Sequence, residues 1–148
     1  MTHTAFDKGN PAKSIAQLSV LIQSGALDPV TFAEETLDGI RRYRDQSLFV
    51  SLTPERALAE AEASRRRIRD GRSLGLLDGI PIAWKDLFDL EGMATTAGSA
   101  VLSRAPAATR DAAVVDALKA AGMVAIGRTN MSEFAFSGLG INPHYGTP

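Results

Sequence analysis

Between the turn pair Asp78-Gly79 and the charged pair Lys85-Asp86 stands a run of five apolar residues, Ile80 to Trp84. The run is too short for a helix and is bounded by punctuation, so it reads as a β-strand. Consecutive rather than alternate positions are apolar, so both faces are expected to be covered, as in the middle of a parallel α/β sheet. Open α/β sheets gather ligands where their strands end, and at the carboxyl end of this one stands Lys85. Side chains alternate along a strand, so Lys85 shares a face with Pro81 and Ala83 while Asp86 goes with Ile82 and Trp84. Apolar surroundings would lower the lysine pKa by desolvation, and only a neutral lysine acts as a base. Position alone leaves a plainer alternative, a strand-end lysine whose head reaches water or pairs with a carboxylate elsewhere.

The rest of the chain supplies layers for such a strand. Residues 1–13 read as a loose leader containing Gly9, Asn10 and Pro11. Ser14 and Gln17 have capping-box spacing, with Ile15, Leu18 and Ile22 as the inward stripe and Gly25 as the stop. Asp28-Pro29 opens a second helix whose buried face is Phe32, Ala33, Leu37 and Ile40. Leu48–Leu52 reads as a strand, and Thr53-Pro54-Glu55 opens a helix running to about Asp70, supported by Glu62 and Arg66 as an i,i+4 pair. Its arginines, Arg65, Arg66, Arg67 and Arg69, read as a solvated face rather than a phosphate site. Asp111 to Ala121 forms a fourth helix with Val114, Val115 and Leu118 inward, and Gly122 leads into a strand at Met123–Gly127. Strands alternating with helices favour a largely parallel sheet with right-handed crossovers. If the last strand runs parallel to Ile80–Trp84, then Arg128, Thr129 and Asn130 reach the same rim as Lys85.

Composition narrows the chemistry. A formal net charge of −1 over 148 residues argues against a dedicated nucleic-acid binder. No cysteine is present, which excludes a thiolate nucleophile and a cysteine zinc site. No signal peptide stands at the N-terminus and no apolar run reaches membrane-span length, so a cytoplasmic protein is expected. A Ser-His-Asp triad could use only His144, on a Pro/Gly-rich tail from Asn142 to Pro148, which is a poor setting for so demanding a base. Gly138-Leu139-Gly140 lacks the context of a dinucleotide fingerprint and reads as a flexible loop. Ser99, Ser132 and Ser137 stand in loops or near element ends without a nucleophile signature, although lysine is a known base for serine.

Three segments change the reading. Leu77-Asp78-Gly79-Ile80-Pro81-Ile82-Ala83-Trp84-Lys85-Asp86, Thr95-Thr96-Ala97-Gly98-Ser99 and Gly127-Arg128-Thr129-Asn130-Met131-Ser132-Glu133-Phe134 occur in order. Together they closely resemble the amidase signature family. Trp84 departs from the smaller aliphatic residue usual before the lysine. The resemblance implies the N-terminal part of that fold, a mixed, largely parallel sheet flanked by helices, over residues 14–148. It implies a Ser–cis-Ser–Lys mechanism acting on a small-molecule amide, with Lys85 as the base, no cofactor, and no direct nucleic-acid or membrane partner. It places Ser137 in a segment that lines the acyl pocket. In the family both serines follow an Asn-Pro-His-Tyr-Gly stretch, here Asn142–Gly146, so they are expected beyond Pro148 and the 148 residues alone are expected to be inactive. One component of a glutamine-dependent aminoacyl-tRNA amidotransferase and a non-catalytic interaction module are the alternatives. Sheet edges left open would pair with the missing C-terminal part or with another copy, and invite aggregation.

Overall fold

The computed structural model describes residues 13–148; of the leader expected at 1–13, all but Lys13 lies outside them. Contacts divide the chain into two compact units, each assembled from separated stretches. The first takes the chain through Tyr43, Thr53–Ile82 and Lys119–Ile126; the second takes Arg44–Leu52, Ala83–Leu118 and Gly127–Pro148. The elements are α1 (Ile15–Gln23), α2 (Pro29–Arg42), β1 (Phe49–Leu52), α3 (Pro54–Arg69), β2 (Pro81–Lys85), α4 (Ala113–Ala120) and β3 (Val124–Thr129).

The three strands form one sheet in the order β1-β3-β2. β1 runs antiparallel to β3, with Phe49 opposite Thr129 and Leu52 opposite Gly127. β2 and β3 run in the same direction: Val124 N–H donates to the Ile80 carbonyl near their start, and Asp86 N–H to the Thr129 carbonyl near their end. The sheet is therefore mixed, and the expected parallel pairing of these two strands holds.

The central strand is not the one that its apolar run suggested. β2 occupies an edge of the three-stranded sheet, with Pro81 and Ile82 half-buried, Trp84 buried, and Ala83 and Lys85 exposed. Proline at the first residue of an edge strand removes no ladder bond that the sheet needs. The strand buried along nearly its whole length is β3. A continuous apolar run is compatible with burial on both faces but does not enforce it.

In the first unit, α1 begins with the expected capping box: Ser14 Oγ accepts from Gln17 N–H, and Gln17 returns the bond to Ser14 N–H. Its inward face is rotated from the expected stripe. Ser19 and Ile22 are buried and Leu18 is partly so, but Ile15 is exposed. Asp28 caps α2 and Phe32, Ala33 and Leu37 are buried as read, where α2 lies against α3. Thr53 does not cap α3 with its side chain; its hydroxyl donates instead to the Ala125 carbonyl at 2.8 Å. Glu62 pairs with Arg65, one residue short of the expected partner.

The α3 arginines are largely engaged locally. Arg65 forks onto Asp28 through Nε at 2.8 Å and Nη2 at 2.7 Å, tying α3 to the cap of α2. Arg67 grips the fully buried Asp78 the same way, and Asp78 also accepts from Leu74 N–H. Gly122, at φ +88°, lies so close that a Cβ there would stand 2.4 Å from Asp78 Oδ1. In α4 only Val115 is buried; Val114, expected inward, is exposed. Among the described residues, no helix is long and apolar enough to cross a membrane.

Candidate functional site

Lys85 ends β2, and its Nζ donates to the main-chain carbonyl of Asn130, just past the end of β3, at 2.8 Å. The rim where these two strands stop thus holds Lys85, Arg128, Thr129 and Asn130 together, as the parallel pairing predicts. Thr129 Oγ1 adds a bond to the Trp84 carbonyl at 3.3 Å. The apolar enclosure expected around the lysine is not found. Lys85 and Ala83 share a face that is open among the described residues, whereas Trp84, on the other face of β2, is buried.

Directly after the lysine, Asp86 has no exposed surface. Arg128, 3% exposed, faces it with Nη1 3.1 Å from Oδ1. The carboxylate also accepts from the Thr96 hydroxyl, from Gly98 N–H at 3.2 Å and from Thr96 N–H at 3.4 Å. Arg128 in turn donates to the Ala94 carbonyl at 2.6 Å and to Ser51 Oγ at 3.3 Å. A buried charge persists only when paired and hydrogen-bonded, and both conditions are met here. The pair therefore pins the Thr95–Ser99 segment beside the lysine-bearing strand end.

Two buried asparagines complete the frame. Asn130 Nδ2 donates to the carbonyls of Ser47, Gly146 and Tyr145, while its Oδ1 accepts from Met131 N–H. Asn142 Nδ2 donates to the Gly98 and Met131 carbonyls, and its Oδ1 accepts from His144 and Tyr145 N–H. The C-terminal segment is thus a loop, as read, but one held by its first residue. Where Ala97 and Phe134 meet, through Phe134 N–H donating to the Ala97 carbonyl, both residues have positive φ, at 50° and 53°. Non-glycine residues take this conformation only where the surroundings over-determine it.

The serines read from sequence do not converge on Lys85 through any hydrogen bond. Ser99 is buried and its hydroxyl accepts from Val101 N–H, a turn role. Ser132 is buried with no hydrogen-bond partner for its hydroxyl. Ser137 is exposed, and its hydroxyl accepts from Leu139 N–H at 3.1 Å. His144 lies 3.6 Å from Glu133 rather than beside a serine. Among the described residues no cluster of three or more His, Asp or Glu could hold a metal.

Sequence reasoning missed the weight of Asp86 and Asn142. The available signal was a charge or an amide set among glycines and apolar residues, where it must be satisfied by backbone.

The chain is similar to known proteins over most of its length. Residues 32–148 match the family model of the amidases. A glutamyl-tRNA(Gln) amidotransferase subunit from Ralstonia nicotianae is 39% identical over 135 residues, which is 91% of this chain and 27% of that protein. The native peptide amidase of Stenotrophomonas maltophilia superposes with a TM-score of 0.76 at 36% identity, over 84% of this chain and 26% of its own. A structure described as a vestigial protein complex that bears on the origins of an s-triazine catabolic enzyme superposes at 0.86 with 40% identity, over 90% and 30%. These similarities define a mixed α/β chain of an amide-hydrolysing enzyme family. Within it, the chain belongs to the amidase signature family. It spans 27% of the length of the amidotransferase subunits it matches.

Proposed function

We propose that this chain carries the general-base part of an amide-hydrolysing site, with Lys85 as the base. The observation that supports it is the placement of the Lys85 amine at the shared rim of β2 and β3, held 2.8 Å from the Asn130 carbonyl beside a buried, fully bonded Asp86–Arg128 pair. In the reading, a neutral Lys85 accepts a proton relayed through one serine from a second serine, whose oxygen attacks the amide carbonyl. The C–N bond breaks, the amine leaves with a proton, and water releases the acid from the acyl-enzyme. The substrate is a small carboxamide and the setting cytoplasmic. Covering of the open Pro81–Ala83–Lys85 face is what would supply the desolvation that a lysine base requires. Ser137 lines the acyl side of the site.

No described serine is hydrogen-bonded to Lys85, so in this reading both serines of the mechanism would be supplied from outside these residues. A second reading keeps the chemistry and changes the purpose: the Ralstonia nicotianae relative is a subunit of a glutamyl-tRNA(Gln) amidotransferase. In that reading the chain would release ammonia from glutamine for partner subunits.

The test uses protein expressed from the complete reading frame. Lys85→Ala should reduce hydrolysis of a simple carboxamide by about 100-fold or more, the scale of losing a general base, with the circular dichroism spectrum unchanged. Turnover near that of the unsubstituted protein would remove Lys85 from the mechanism. Glutamine hydrolysis in preference to other amides would favour the amidotransferase reading.

A further inference from the structure

We propose that Asn130 is a positioning residue for the Lys85 amine, acting through its own main-chain carbonyl; the assignment rests on the amidase reading above. Lysine has a flexible four-carbon stem and three rotatable donors, so an exposed lysine does not fix its own head. The acceptor must do so. That acceptor is the carbonyl of a residue that is 4% exposed and bonded at every polar group. Asn130 N–H donates to the Leu48 carbonyl at 2.9 Å, and its Oδ1 accepts from Met131 N–H at 2.7 Å, which holds the peptide plane before the residue and the one that contains its carbonyl. Its Nδ2 reaches Ser47 O at 2.9 Å, Gly146 O at 2.8 Å and Tyr145 O at 3.3 Å.

The same carboxamide therefore fixes two things at once. It sets where the Lys85 amine rests, and it sets the path of the Tyr145–Gly146 backbone. Gly146 suits this close approach: its φ is +84°, and a Cβ there would stand 2.8 Å from Ser47 Cβ. An asparagine needed only for burial would not have to present its own carbonyl to an amine. This one couples the lysine to the Asn-Pro-His-Tyr-Gly segment, so its loss should displace the amine rather than merely loosen the loop.

Amine acetylation resolved by peptide mass spectrometry tests this in the 148-residue chain. Asn130→Asp keeps the shape and the Met131 acceptor but sets an oxygen against three carbonyls; Asn130→Ala removes the group. Thr53→Val deletes a different buried bond, that to the Ala125 carbonyl, as a control for general loosening. Relative to Lys13, labelling of Lys85 should rise about fivefold in both Asn130 variants, the factor expected for one lost hydrogen bond, and stay unchanged in Thr53→Val. No rise in a folded Asn130 variant, or an equal rise in Thr53→Val, overturns the proposal.

Should the variants unfold, the unsubstituted chain still decides. Nitrogen-15 relaxation should show a Lys85 ammonium more restricted than that of Lys13, and equal mobility overturns the proposal. In protein from the complete reading frame, Asn130→Asp should lower kcat about 100-fold with KM within about threefold, the cost of a misplaced reacting group. If the unsubstituted protein hydrolyses no amide, the amidase reading fails and the labelling alone judges Asn130. If it is active and Asn130→Asp leaves kcat intact, the positioning role fails while the amidase reading stands.

Discussion

Asp86 and Arg128 show how one buried ion pair can hold a strand end in place. Asp86 follows the lysine directly, so whatever holds its carboxylate also holds the strand end that carries Lys85. Arg128, Thr96 and Gly98 do this in a setting closed to water. Removing one partner of a buried pair leaves the other charge uncompensated, which is costlier than the pair's net contribution. Arg128→Met should therefore destabilise the chain by about 3–5 kcal/mol, measured by urea unfolding. A change below about 1 kcal/mol would mean that Asp86 finds other compensation. The strand alternation already separated Asp86 from Lys85 in the sequence. The partner of Asp86 was not legible there, because it lies 42 residues away and only the parallel β2–β3 pairing brings it in.

Helices α2 and α3 are joined by side-chain charge as well as by apolar contact. The Arg65 fork is the chief cause holding the Asp28 carboxyl below its ordinary pKa, over the opposing effect of burial, with Thr31 N–H assisting. For Asp78, burial works against the charge most strongly. The Arg67 fork and Leu74 N–H outweigh it, so this carboxyl too is held low. A carboxyl with a depressed folded pKa binds protons more tightly in the unfolded chain. The stability it contributes is present above about pH 4 and is lost as pH falls through the lower folded value. Urea midpoints should therefore drop between about pH 5 and about pH 2, and Arg67→Met should make that drop shallower while lowering the midpoint at neutral pH. An unchanged acid profile in this variant would show that Arg67 is not what holds the Asp78 proton off. Caps and turn signals fixed the helix starts well in advance. The inward faces of α1 and α4 were less legible, since Ile15 and Val114 obey the helical period yet lie outside the contacts that bury Ile22 and Val115.

For the whole chain, the two units bury enough apolar side chains to form cores, yet large apolar groups stay outside. Phe136 is 96% exposed, Val101 82%, Leu139 77% and Phe134 58%. Phe134, Phe136 and Leu139 stand within six residues of one another, and exposed apolar surface of this kind associates or binds apolar dyes. The 148-residue chain should therefore elute as more than a monomer on size exclusion, and Phe136→Ser with Leu139→Asn should shift it toward the monomer. Clean monomer elution of the unsubstituted chain would count against this. The sequence by itself determined the order and type of the elements and the family, because caps, turns and short motifs act over a few neighbouring residues. Tertiary structure alone decided that β3 rather than β2 is central, that the lysine lies on an open face, and that Asn130 receives its amine. Those outcomes depend on pairing between residues far apart in the chain, and no local pattern encodes which side of a strand its neighbours will occupy.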